Sequence, residues 1–303
     1  MRDVSESLEK GQKYIRAVAG HIVFNRHSFT VHPCVLAFAL SLPKEYNSLM
    51  PEHEVFSNPV VKQVNFEIRF PNLFFIEGKI GDFQVQVIKD FPNSELVHRR
   101  SFMLFAGKPE SLTDLTKQQL GETVDKIWQF KSLRGTTLEI SSKNLVLTSE
   151  QHHSYKYGAE KSFRATIETV TKPFFDMVQL PSVLRVGFRY VNECPILERS
   201  TDKFKECYDS ILPLNRFRLE DAESMDCAVV INRKPIQYRR LESLRLSPNE
   251  CKLILDLDAW TENVPTEQVM AATDGLYDVI SGEFKETVKA PIIEYMRKPK
   301  EQK

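Results

Sequence analysis

The chain has 303 residues, 41 basic and 41 acidic side chains, and 42% hydrophobic residues. That balance excludes global disorder, and zero formal charge excludes an overall electrostatic drive onto nucleic acid or acidic membranes. The five cysteines, at 34, 194, 207, 227 and 251, include no C-x-x-C pair and read as reduced thiols of a cytoplasmic protein.

The opening segment "MRDVSESLEKGQKYIRAVAG" lacks the apolar core of a signal peptide. Leu8, Ile15, Val18, Ala19 and Ile22 recur at near-helical spacing, which predicts an amphipathic helix. The run Val35–Leu42 closes at Pro43 and is far short of the roughly 20 residues a membrane span needs. Residues 1–55 therefore form an expected N-terminal helical extension. It either caps the rest of the fold or offers a surface to a partner protein or a second copy.

"VNFEIRF", Val64 to Phe70, alternates cleanly and predicts a strand. "IGDFQVQVIKDFP" predicts a short helix, and "SFMLFAG", "KIWQFKS" and "TTLEISSKNLVLTSE" predict strands and a hairpin. In "EKSFRATIETV", Phe163, Ile167 and Val170 make a helical stripe, with Pro173 expected to bend or end the helix. "LRVGFRYVNEC", Leu184 to Cys194, is the next strand. Leu184, Val186, Phe188 and Tyr190 belong on one side, and Arg185, Gly187 and Arg189 on the other. The order strand, helix, strands, helix, strand is a ferredoxin-like βαββαβ unit with an extra strand or two, spanning 56–200. Its last strand is expected to lie antiparallel to its first.

Residues 201–303 repeat the style. Phe204, Tyr208 and Ile211 predict one helix, "DCAVVINR", "IQYRRLESLRL" and "CKLILDLDAW" a meander, and Val269, Leu276, Ile280 and Phe284 a long C-terminal helix starting near Pro265. The fold expected is α+β, with two antiparallel-sheet halves packed with helices, the N-terminal helical extension and the long C-terminal helix.

Several strings then stand out together. "NPVVKQVNFEIRF" (Asn58–Phe70), "LVLTSE" (Leu145–Glu150), Tyr157 six residues before Phe163, "RVGFRYVNECPI" (Arg185–Ile196) and "GLYDVISGEFKETV" (Gly275–Val288) form the set. Over about residues 58–290 the chain resembles a sporadically distributed, uncharacterised family of bacterial proteins. Lys62 departs from that pattern, which has an acidic residue there, and the first 55 residues lie outside it. The resemblance implies a cytoplasmic bacterial protein of accessory or antiviral-defence type. It brings no catalytic residues.

Two constellations have chemistry. Arg185 and Arg189, with Gly187 between them, suit a cradle for a phosphate, nucleotide or acidic peptide, because guanidinium forks bind anions bidentately. The alternative is ion pairing to Glu67 across the sheet. Arg233, Lys234, Tyr238, Arg239, Arg240 and Arg245 combine charge with an aromatic ring, as a nucleic-acid surface does, although strand alternation splits them between faces. Asp256 and Asp258 share a strand face but lack a third metal ligand nearby. They read as counter-charges for Arg239, Arg240 or Arg245. His21, His27, His32, Cys34, His152 and His153 have no zinc spacing. Nucleophile-elbow, zincin and phosphate-loop motifs do not occur. The expectation is a non-enzymatic binding or regulatory component without cofactor or metal. Its partner would be a protein, such as the product of a neighbouring gene, or a second copy. The alternative is a nucleic-acid- or nucleotide-binding protein.

Overall fold

The structure is a computed structural model that describes residues 55–103, 121–152, 154–157, 162–247 and 251–299. The N-terminal helical extension, the run Val35–Leu42, the histidines at 21, 27, 32 and 153, and Cys34 lie outside the described residues.

Among the described residues one nine-stranded sheet organises the fold, in the order Asn93–Met103, Gly121–Lys131, Thr136–Ile140, Asn144–Ser149, Val61–Arg69, Ser182–Pro195, Cys251–Pro265, Ile236–Leu246, Ser224–Arg233, with every ladder antiparallel. β1 (Val61–Arg69) leads through α1 (Ile80–Val87) to the outer edge. There β2 (Asn93–Met103), β3 (Gly121–Lys131), β4 (Thr136–Ile140) and β5 (Asn144–Ser149) meander back to pair with β1. α2 (Phe163–Val178) then leads to β6 (Ser182–Pro195), which lies antiparallel on the other side of β1 as its sequence suggested. From β6 the pattern recurs. α3 (Thr201–Cys207) leads to the opposite edge, and β7 (Ser224–Arg233), β8 (Ile236–Leu246) and β9 (Cys251–Pro265) meander back to β6. α4 (Val269–Thr287) and α5 (Ala290–Arg297) close the chain.

Strands from 56–200 and from 201–303 belong to this one sheet. They meet at the β6–β9 ladder, thirteen residue pairs long, and share one core. By topology the second strand–helix–meander–helix unit opens with β6, so the recurrence begins before residue 200.

One face of the sheet is apolar. Val64, Phe66, Ile68, Val186, Phe188, Leu255, Leu257 and Ala259 are all buried. The helices pack on that face, with Phe163 against Phe188, Phe174 against Phe70 and Tyr277 against Tyr190. Each buried phenylalanine among these contributes about 1.5–3 kcal/mol. That packing explains why α2 runs through Pro173: Phe163, Ile167, Val170, Phe174 and Val178 stay on one buried stripe across it, which outweighs the lost backbone hydrogen bond. α3 is shorter than its spacing implied. Tyr208 leaves the helix to bridge with Val288, and its hydroxyl donates to the Pro195 carbonyl. Leu184, on the same side of the strand as the buried Val186 and Phe188 by alternation, is 50% exposed. It lies at the point where the β6–β9 ladder skips a pair, across from Asn263, whose backbone is left-handed (φ 55°).

Candidate functional site

The opposite face of the sheet carries charge across its centre. Alternation along β6 places Arg185, Gly187 and Arg189 there. Register brings Glu67 of β1 beside Gly187, and Asp258 and Trp260 of β9 beside Arg189 and Gly187. Arg69 Nε donates to Glu67 Oε1 at 2.8 Å, and Arg185 Nη1 donates to Glu67 Oε2 at 3.1 Å. Arg185 also lies 3.8 Å from Asp258 and 5.0 Å over the Trp260 ring. Arg189 grips Asp256 through two bonds of 2.7 Å, and Arg239 of β8 donates to the same carboxylate at 3.0 Å.

The alternative to an anion cradle pairs both β6 arginines with Glu67. The structure gives Glu67 to Arg185 and Asp256 to Arg189, because Arg189 stands opposite Asn65 on β1 and faces its acids on β9. Asp256 does answer Arg239, but Arg240 and Arg245 find other partners. The Asp256 side chain is 3% exposed, whereas Arg189 and Arg239 are 40% and 36% exposed, so the acid is sunk beneath its two bases. Burial pushes the Asp258 carboxyl above its usual range, against the opposing pull of Arg185, Arg189 and Arg239. The Nε atoms of Arg185 and Arg239 are buried without a hydrogen-bond partner.

The gap expected over Gly187 is filled by this chain itself: a β-carbon there would meet the Arg185 guanidinium at 3.6–3.7 Å, ordinary contact distance. Its backbone is not left-handed either. Gly187→Ala is therefore expected to be neutral, or to stabilise by up to about 1 kcal/mol through the unfolded chain's lost freedom. Urea denaturation checks this, and a strongly destabilised variant would show that the glycine is needed for close approach.

The basic stretch 233–245 does not make one surface. Arg239 and Arg245 point to the charged face, with Arg245 bonded to Asp226 at 2.9 Å. Tyr238 and Arg240 point to the helix side. Arg233 lies 5.7 Å over the Tyr238 ring, and Lys234 is in the exposed β7–β8 turn. Arg240 is sequestered: it bonds Glu242 at 2.9 Å, the Asp209 carbonyl at 2.7 Å, and lies 3.5 Å from Glu283. The Tyr238 hydroxyl donates to Glu283 at 2.7 Å, and burial followed by that bond pushes the phenol up to about 12. Glu242, fully buried, accepts from Ser210 Oγ and from Ile211 N–H. The sequence offered one signal for this network, since Glu242 is the lone acid within the basic stretch.

A second network joins residues that no sequence pattern connects. Asp274 of α4 accepts two bonds from Arg164 of α2, at 2.8 and 2.9 Å, and one from the Tyr155 hydroxyl at 2.7 Å. These bonds hold the carboxyl below its usual range in spite of its burial. The network ties α2, α4 and the preceding loop together. A cleft lined by Arg134, Thr136, Gln151, His152 and Thr166 lies nearby. Its imidazole, His152, is 3.0 Å from the Tyr190 hydroxyl and packs edge-on to Phe163. Among the described residues, no group of three or more His, Cys, Asp or Glu side chains is placed to hold a metal ion.

The remaining surface feature is the outer edge of β7. Its ten residues pair with β8 without a register shift, and they are exposed or half-exposed throughout. No described helix is long and apolar enough to cross a membrane. No protein-family model matches the chain, and no curated protein matches it.

Proposed function

We propose that this protein is a non-enzymatic binding component that works through protein–protein contact, and that the edge of β7 is its contact surface. The observation that carries this reading is the exposed, unbroken edge from Ser224 to Arg233, with Val229 and Val230 38% and 62% exposed at its centre. Strand addition to such an edge is a standard mode of protein recognition. The resemblance of Asn58–Phe70 and Arg185–Ile196 to a sporadically distributed bacterial family supplies the setting: a cytoplasmic accessory or defence system, in which a neighbouring gene encodes the natural candidate partner. In the same reading, β1 to β6 with α1 and α2 are an enlarged ferredoxin-like split unit. The test is co-expression of the tagged chain with that neighbouring product and with an untagged copy of itself. A complex retained by the native chain and lost with Val230→Lys supports the reading. A chain that recovers neither overturns it.

A second reading, binding of a nucleotide or nucleic-acid phosphate at the charged face, is favoured by the unpartnered Nε donors of Arg185 and Arg239. Against it, each of those arginines and Arg189 already has a carboxylate. If that face binds phosphate, a labelled oligonucleotide binds the native chain in a salt-dependent way, and Asp256→Asn, which releases Arg189 and Arg239, tightens it. No binding by either form removes this reading.

A further inference from the structure

A sheet edge is a row of unpaired N–H and C=O groups, and natural proteins guard it with bulges, prolines, charged side chains or very short strands. β7 leaves its centre without these guards, since its charged residues, Asp226 and Arg233, stand toward its ends. It is ten residues long, contains no proline or lysine, and follows β8 pair by pair. Its centre, Cys227 to Ile231, is five consecutive apolar residues. The opposite edge of the sheet differs, because β2 carries Glu95, His98, Arg99 and Arg100 within the strand. Among the described residues, no strand pairs with the outer side of β7.

The charges around β7 select an occupant. Asp221 and Glu223 just before the strand, and Asp226 within it, lead into the apolar run, with Asp226 held by Arg245 of its own chain, and Arg233 and Lys234 follow it. A strand acidic at one end and basic at the other complements itself when a copy runs antiparallel. A parallel copy would set like charges side by side, which is unfavourable. The geometry points to a second copy of this chain as the occupant, paired β7 to β7 about a twofold axis perpendicular to the sheet. Two nine-stranded sheets then become one. This inference rests on the reading of β7 as the contact surface and names its partner.

The twofold also fixes the register. In one continuous antiparallel sheet, facing residues project to the same side, so an axis of this kind must pass beside a single residue paired with its own copy. Centring on Val229 is the choice that maps the apolar run onto itself. Val229 faces Val229, Ala228 faces Val230, and Cys227 faces Ile231. Extended past the strand's ends, this register sets Asp226 toward Lys234 in the turn of the second copy and Glu223 toward Arg233, each twice by symmetry. Diagonal neighbours stand about 7–8 Å apart, within reach of long side chains.

The test is sedimentation of the purified chain alone over a concentration series, with circular dichroism as the control for folding. The expected result is a reversible dimer whose dissociation constant rises roughly ten-fold or more in Val230→Lys, a change at an exposed position that leaves the fold intact. Under mild oxidation Val229→Cys is expected to give a covalent dimer. Val230→Cys, facing Ala228, is expected to give none beyond the native background. A native chain that is monomeric at every concentration overturns the inference, as does a dimer indifferent to Val230→Lys. If the native chain is monomeric while Val230→Lys loses the neighbouring gene product, the second copy is excluded and β7 remains the contact surface.

Discussion

Glu242→Ala is expected to lower the stability of the fold by about 3–5 kcal/mol, the usual cost of removing one partner from a buried ion pair. The side chain is fully buried and accepts from Arg240, Ser210 and the Ile211 amide at once. Its loss leaves Arg240, 11% exposed, dependent on Glu283 and one carbonyl, and it leaves the Ile211 N–H and the Ser210 hydroxyl without their acceptor. Those two groups anchor the segment that follows α3, so the effect reaches beyond one pair. Two companion variants separate the causes. Glu242→Gln keeps an acceptor for Ile211 and Ser210 and is expected to cost less. Adding Arg240→Met to Glu242→Leu removes both charges together and is expected to restore much of the loss, as apolar replacement of a whole buried pair often does. Urea denaturation of the three proteins decides the matter. A Glu242→Ala protein within about 1 kcal/mol of the native chain would mean that water solvates Arg240 after all.

What the sequence disclosed follows from which interactions are local. Strands and helices were legible because period-two and period-3.6 patterns are local: Phe66 and Ile68 on β1, and Leu276 and Ile280 on α4, are buried as their spacing indicates. Departures occur where a distant partner wins. Tyr208 leaves its helix for a bridge with Val288, eighty residues later in the chain. Pro173 is carried through α2 by the phenylalanines packed on either side of it. The charged face was legible as a face, but the pairing within it was not. Alternation alone says that Arg185 and Arg189 point the same way; only the registers with β1 and β9 say that one meets Glu67 and the other Asp256. The exposed edge of β7 was invisible in the sequence, because "SMDCAVVINR" reads as an ordinary strand until the sheet order places it last. Edge or interior is a property of topology.

Alkali is expected to unfold the protein steeply between about pH 10 and 11, because the folded chain withholds protons that the unfolded chain gives up. Burial raises the Tyr155, Tyr190 and Tyr208 phenols well above their usual range, and burial with the Glu283 hydrogen bond takes Tyr238 to about 12. Burial, with the nearby Glu242 charge, pushes the Cys194 thiol up to about 12 as well. All five residues are at most 7% exposed. A group whose folded pKa is raised holds its full contribution below the unfolded pKa and loses it as pH climbs toward the folded value. Decline therefore begins near pH 9 with Cys194 alone and steepens once unfolded tyrosine ionises at about 10. Four tyrosines that stay protonated in the folded chain together remove about 4 kcal/mol between pH 10 and 11. That is a large share of the 5–15 kcal/mol a domain typically has. Denaturation midpoints measured at successive pH values give the slope, and tyrosinate absorbance gives its cause. The tyrosinate signal of these residues should appear together with loss of the circular dichroism of the sheet. If all of the tyrosine titrates near pH 10 while the sheet signal is intact, these phenols are open to solvent and the account fails. The same buried hydroxyls of Tyr155 and Tyr238 hold α4 to the rest of the fold through Asp274 and Glu283, so their ionisation and the detachment of α4 are expected to be a single event.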